Sequence, residues 1–156
     1  MTGLDTIRPH ILVVTDHHDL AEFLQEGLLY GGFWVSVVAS AIQTLEIFRL
    51  RMFDLVVIDG GLASLGGNEM IRRLRQRTDV PIVFIDGETR VPGSDGIGAD
   101  HVIRLPLELG DVVPLLHSMV AQWRREHPGR PSADEAAHHG TVVGDGAGTG
   151  NAPLVD

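Results

Sequence analysis

Residues 54–59 read DLVVID, four aliphatic side chains in a row between two acids. A run that is apolar at both odd and even positions has no polar face, so as a strand it must be covered on both sides. Two more runs share this character, HILVVT at 10–15 and VPIVFI at 80–85, and FWVSVV at 33–38 and DHVIR at 100–104 are also strand-like. Helical spacing fills the intervals. Ala21, Leu24, Leu28 and Leu29 fall on one face of a first helix, and Ala41, Leu45, Phe48 and Met52 on one face of a second. A third helix is expected over about 68–77 and a last one over about 111–125, with Leu115, Met119 and Trp123 spaced by four. Pro114 suits that last helix in its first turn, where a missing N–H costs little.

Strand and helix in alternation imply an α/β fold, a doubly wound five-stranded parallel sheet with helices on both faces. One interval breaks the pattern. GETRVPGSDGI at 87–97 holds Pro92, Gly93 and Gly96 in a short span, which predicts a loop or a single turn, so the helix before the last strand is shortened or absent.

The chain has 156 residues, 44% hydrophobic and 21% charged, enough for one core of ordinary size. Twelve basic against 21 acidic side chains give −9, which argues against binding nucleic acid or an anionic membrane through a broad positive field. The absence of Cys excludes disulfides, zinc–thiolate sites and thiol catalysis. All twelve basic residues are Arg, and there is no Lys. Met1–Pro9 lacks the apolar core of a secretory signal, and no apolar run is long enough to span a bilayer, so a cytoplasmic protein without membrane contact is expected. Composition shifts near Glu126: residues 127–156 hold three Pro, six Gly and no aromatic residue. The expected organisation is a folded domain over 1–126 and a flexible tail or linker over 127–156.

Chemistry on a parallel sheet gathers at the carboxyl ends of the strands. Asp16, Asp59 and Asp86 each end a different strand and are expected to converge on one rim, where a carboxylate cluster suits a hard cation such as Mg2+. Asp19, Asp100 and Asp111 are assigned to helix and turn capping instead.

Four stretches make the pattern familiar: ILVVTDHHDL at 11–20, FDLVVIDGGLASLGGNEMIRRLR at 53–75, DVPIVFIDG at 79–87 and GADHVIRLPL at 98–107. From about Pro9 to Arg125 the sequence resembles the receiver domain of bacterial two-component response regulators, a flavodoxin-like fold. The resemblance implies that Asp59 stands at the phosphoacceptor position. It implies that Asp16, Asp59 and the backbone carbonyl of Gly61 are the metal ligands. It also implies a regulatory module rather than an enzyme, a homodimer, a histidine kinase as partner, and contact with DNA only through an effector domain that these residues do not contain.

The departures fall on the switch positions. Thr15 replaces the first of two adjacent acids, Asp86 a hydroxyl residue, Val102 an aromatic and Leu105 the lysine before Pro106. Phosphoryl transfer to a carboxylate needs cations to neutralise the phosphoryl oxygens. Without Lys only a metal or an Arg could serve, and Arg104, one residue from Leu105, should point to the opposite face of its strand. Asp86 would add repulsion where a hydrogen-bond donor should be. The expected function is an atypical receiver domain in a transcription regulator. It would act independently of phosphorylation, by protein contact or by sensing a small molecule, with Mg2+ weak and no other cofactor. The alternative is a conventional Mg2+-dependent phosphoacceptor modified on Asp59 by a histidine kinase. A third, cobalamin-binding reading ranks low. It rests on Asp16 and His18 in DHHDLA, which resembles D-x-H-x-x-G with Ala21 in place of Gly.

Overall fold

The computed structural model describes residues 8–47, 52–62, 67–87 and 96–129. Five strands form one parallel sheet in the order β2-β1-β3-β4-β5. They are β1 (His10–Val14), β2 (Trp34–Val38), β3 (Leu55–Asp59), β4 (Ile82–Asp86) and β5 (His101–Arg104). The continuous apolar runs became the centre of the sheet, with every residue of β3 and β4 buried. β2 and β5 are the edges, and their residues are half-buried or exposed.

The helices are α1 (His18–Tyr30), α2 (Ala41–Ile47), α3 (Gly67–Arg75) and α4 (Leu109–Glu126). Strand alternation splits the core in two. Ile11, Val13, Leu55, Val57, Val83 and Ile85 pack with Leu24 and Leu28 of α1 and Val112, Leu116 and Val120 of α4. Leu12, Val14, Val56, Ile58, Ile82 and Phe84 pack with Ala41 of α2 and Met70, Ile71 and Leu74 of α3. The sheet is therefore doubly wound, with two helices on each face. Among the described residues no helix is long and apolar enough to cross a membrane.

Several local expectations are corrected. α4 begins at Leu109, so Pro114 sits in its second turn, exposed, and the Gly110 carbonyl cannot receive the usual backbone bond. From that start α4 lies close to α1 and its C-cap: a Cβ on Gly27 would fall 2.3 Å from Leu109 Cδ1, and one on Gly31 2.8 Å from Val113 Cγ2. The buried face of α4 is Val112, Leu116, Val120 and Trp123, not Leu115 and Met119. Leu29 is exposed, because α1 buries only Leu24 and Leu28. Met52 lies beyond α2, and Phe48 falls outside the described residues. Trp34 is 45% exposed on the edge strand, with the Arg8 guanidinium 4.7 Å from its ring centre. Trp123 is buried and donates its indole N–H to the Asp79 carbonyl at 2.8 Å.

The expected break between β4 and β5 falls mostly on residues 88–95, outside those described, as does the tail from residue 130 onward. His127, the first residue assigned to the tail, stays with the domain. Its ring stacks on Trp123 at 4.4 Å, and its Nε2 lies 3.2 Å from the Asp79 carboxylate.

Candidate functional site

Asp59 is the last residue of β3, and Thr15 follows β1. Val14 and Ile58 are register partners, so the next residues along, Thr15 and Asp59, face each other at the carboxyl end of the sheet. The Thr15 hydroxyl donates to Asp59 Oδ2 at 2.6 Å and accepts the His17 N–H at 3.0 Å. The Gly61 N–H donates to Asp59 Oδ1 at 2.9 Å. Each carboxylate oxygen thus has one neutral donor and keeps lone-pair capacity toward solvent. Gly60 makes this turn possible. A Cβ there would lie 2.5 Å from Phe84 Cζ and 2.8 Å from the Ile85 carbonyl, which accepts the Gly60 N–H at 2.9 Å.

An open cleft of about 570 Å³ lies over this corner, lined by Asp16, His17, Asp19, Leu20, Phe23, Asp59, Gly61, Gly87 and Leu105. Its two kinds of wall are distinct. Asp16 and Asp19 are exposed acids at the rim, whereas Leu20, Phe23 and Leu105 offer apolar surface. His17 caps α1, its Nδ1 accepting the Leu20 N–H at 3.3 Å, which leaves Nε2 for the proton of a neutral ring. Leu105 stands in the cleft at the position where the family resemblance implies an ammonium group.

Asp86 does not join this group, which corrects the expected three-acid rim. Asp59 is in register with Ile85, so the next residue, Asp86, turns to the other face of the sheet. There it is the register partner of Arg104, whose guanidinium lies 3.6 Å from its carboxylate. Arg104 is directed away from Asp59, as strand alternation requires, and it faces Asp86 instead of solvent alone. Val102 shares that second face of β5 and is 40% exposed. Asp86 is therefore directed away from Asp59 and toward a guanidinium, both of which weaken the expected repulsion.

Three acids in the described residues are buried: Asp54, Asp59 and Asp86. Asp54 accepts from Arg124 at 3.2 Å, and Asp86 faces Arg104. Asp59, only 9% exposed, has no cationic partner among the described residues. The oxygens of Asp16, Asp59 and the Gly61 carbonyl are of the kind a magnesium ion takes. Among the described residues no three His, Cys, Asp or Glu side chains gather closely enough to hold a metal by themselves. Thr15 stands where the family resemblance places a second acid, and its hydroxyl is already engaged as donor and acceptor.

Sequence reasoning found Asp16, Asp59, Gly61 and Leu105 but passed over Leu20 and Phe23 as lining residues. Their signal was the three-residue spacing of Leu20 and Phe23 immediately after the rim segment, which puts both on the α1 face next to Asp16. Arg72 and Arg73 pair with Glu69, and Arg75 bonds the Val80 carbonyl and the Asp100 carboxylate. Glu69 is held at a pKa of about 2, well below its usual 4.5, chiefly by hydrogen bonds from Arg72 and Arg73.

The model of the response regulator receiver domain matches residues 11–100, more than half of the chain. The chain belongs to that family. The TorCAD operon transcriptional regulatory protein TorR of Escherichia coli K12 is 32% identical over 119 residues, which cover 74% of this chain and 50% of TorR. The solved receiver domain of the TMAO respiratory response regulator TorR superposes with a TM-score of 0.64 at 30% identity, covering 73% of this chain and 98% of that one. The receiver domain of the sensor histidine kinase PA1611 from Pseudomonas aeruginosa shares the fold, with a TM-score of 0.66 and 20% identity over 74% of this chain and 99% of that one. That structure has a magnesium ion coordinated in its active-site cleft. The chain spans about half the length of the curated relatives it matches. Family membership replaces the cobalamin reading, and His18, which that reading required as an axial ligand, is not among the cleft's lining residues.

Proposed function

We propose that this receiver domain is the regulatory module of a transcription regulator and that it switches without a phosphoryl group on Asp59. One observation carries this reading: the only buried acid of the described residues without a cationic partner faces Leu105 across the cleft. Phosphoryl transfer spreads negative charge over oxygens that need compensation, and an apolar side chain supplies none. No lysine elsewhere in the sequence can take its place. The switch would then be driven by contact with another protein, by pairing of two copies, or by occupation of the cleft. Effector action on DNA would belong to a further domain, as the half-length match to the curated relatives suggests. Residues 1–126 would form the receiver unit and the following stretch its linker.

The conventional reading keeps one specific observation in its favour. Asp16, Asp59 and Gly61 line a single cleft, and Asp86 points away from it toward Arg104. Asp16, Asp59 and the Gly61 carbonyl would hold Mg2+, and the ion, when bound, would neutralise phosphoryl oxygens. The role of the rest of the pocket would be limited to orientation: Thr15 and the Gly61 N–H hold the Asp59 carboxylate in place.

Intact-mass measurement after incubation with acetyl phosphate and Mg2+ separates the two. The proposal expects no phosphoryl adduct. A stable adduct that is lost in Asp59→Asn would establish the conventional mechanism.

A further inference from the structure

Each buried acid of this domain poses the same physical problem, since a carboxylate withdrawn from water is costly unless it meets a positive charge. Asp54 and Asp86 solve it internally with Arg124 and Arg104. Asp59 is nine-tenths buried, opens into a cleft, and has only the neutral Thr15 hydroxyl and Gly61 N–H as partners. Two more acids, Asp16 and Asp19, add to the negative potential at the rim, and among the described residues no Arg lines the cleft. Such a site selects a cation.

The walls select which kind. A strongly hydrated ion such as Mg2+ gains nothing from Leu20, Phe23 and Leu105, and it finds no third side-chain ligand among the described residues. An apolar body gains from all three walls by leaving water. Phe23 is 45% exposed and, together with Leu105, provides uncovered surface on the same side as the Asp59 carboxylate. A volume of about 570 Å³ is in the range of clefts that take small organic ligands.

We propose that the Asp59 cleft binds a small organic cation, an ammonium or guanidinium group carried on an apolar body. The charged head meets Asp59 between the Thr15 and Gly61 donors, and the body lies on Phe23, Leu20 and Leu105. Occupation ties α1 to the ends of β3 and β5, so ligand and sheet edge become one rigid unit. This inference rests on the reading that the cleft takes no phosphoryl group, and it gives that reading a ligand class.

The test uses phenethylammonium chloride as probe, 2-phenylethanol as its neutral counterpart and magnesium chloride as competitor, with 1H–15N spectra of the full chain. The amine should shift the amides of Thr15, Gly61, Gly87 and Leu105 saturably, and the alcohol should not. Asp59→Asn should weaken amine binding roughly tenfold or more, the scale of one charge-assisted hydrogen bond. Leu105→Lys, which supplies a tethered ammonium, should abolish binding by occupying the same place. Equal shifts with amine and alcohol, no shifts with either, shifts with Mg2+ alone, or retained binding in Leu105→Lys would each overturn the proposal. The acetyl phosphate experiment is read separately. An adduct on Asp59 in a cleft that still takes the amine sinks the reading beneath and leaves this inference standing. Silence toward the amine without an adduct does the reverse.

Discussion

The Thr15 hydroxyl and the Asp59 carboxylate, on neighbouring parallel strands, share a buried hydrogen bond of 2.6 Å. A residue that counts as a missing acid by comparison with the family is, in this chain, the donor that holds the buried carboxylate. Thr15→Val keeps the shape and removes the donor, so Asp59 Oδ2 loses its partner inside the domain. The expected cost is about 1–3 kcal/mol of stability, measured by urea denaturation. An unchanged midpoint would mean that solvent already satisfies Asp59.

Thr15→Asp restores a second acid beside Asp59 and should act in the opposite sense on metal. The variant is expected to lose stability in metal-free buffer through like-charge repulsion and to recover it on addition of Mg2+. The wild-type melting temperature should respond less to the same addition. Equal responses would show that the neutral hydroxyl does not limit cation binding.

Two glycines should give opposite signs. A Cβ at Gly60 meets Phe84 and the Ile85 carbonyl at 2.5 and 2.8 Å, and backbone cannot rotate out of the way, so Gly60→Ala should destabilise by about 1–3 kcal/mol. Gly110 lies in the first turn of α4 with nothing within 4 Å of an added Cβ. Gly110→Ala should stabilise by roughly 0.5–1 kcal/mol through lower unfolded-chain entropy. Chemical denaturation of both variants checks the pair.

Glu69 provides a pH signature. Its folded pKa of about 2 lies below the ordinary 4.5, so the carboxylate contributes stability that is fully present above the ordinary value and lost as pH falls through the folded one. Because the triad with Arg72 and Arg73 is on the surface, the effect should shrink with added salt. A carboxyl-detected NMR titration of Glu69 should show a midpoint near 2 in low salt. A midpoint near 4.5 would show that the triad does not form in solution.

The sheet was readable because its centre is written in continuous apolar runs: β3 and β4 fall within two residues of DLVVID and VPIVFI. Asp16, Asp59 and Leu105 could also be placed, since each ends or follows a strand that points its last residues at the same rim. Asp86 could not. Its face depends on the register that pairs Asp59 with Ile85, and register between strands far apart in sequence has no local signal. The same limit applies to α4, whose first turns pack against Gly27 of α1 and Gly31 at its C-cap, about eighty residues earlier. Local periodicity instead favoured Leu115 and Met119. Trp34 illustrates a third limit: an edge strand leaves its aromatic residue 45% exposed, with the Arg8 guanidinium over the ring.

Whether Asp59 takes a phosphoryl group, as the proposed function denies, is tested most directly by titrating the full chain with beryllofluoride and Mg2+, a stable stand-in for the phosphoryl group, while following backbone amides. The account predicts that Thr15, Gly61, Gly87 and Leu105 stay where they are, because Leu105 offers the bound anion no positive charge. Saturable shifts at those four amides, abolished in Asp59→Asn, would contradict it.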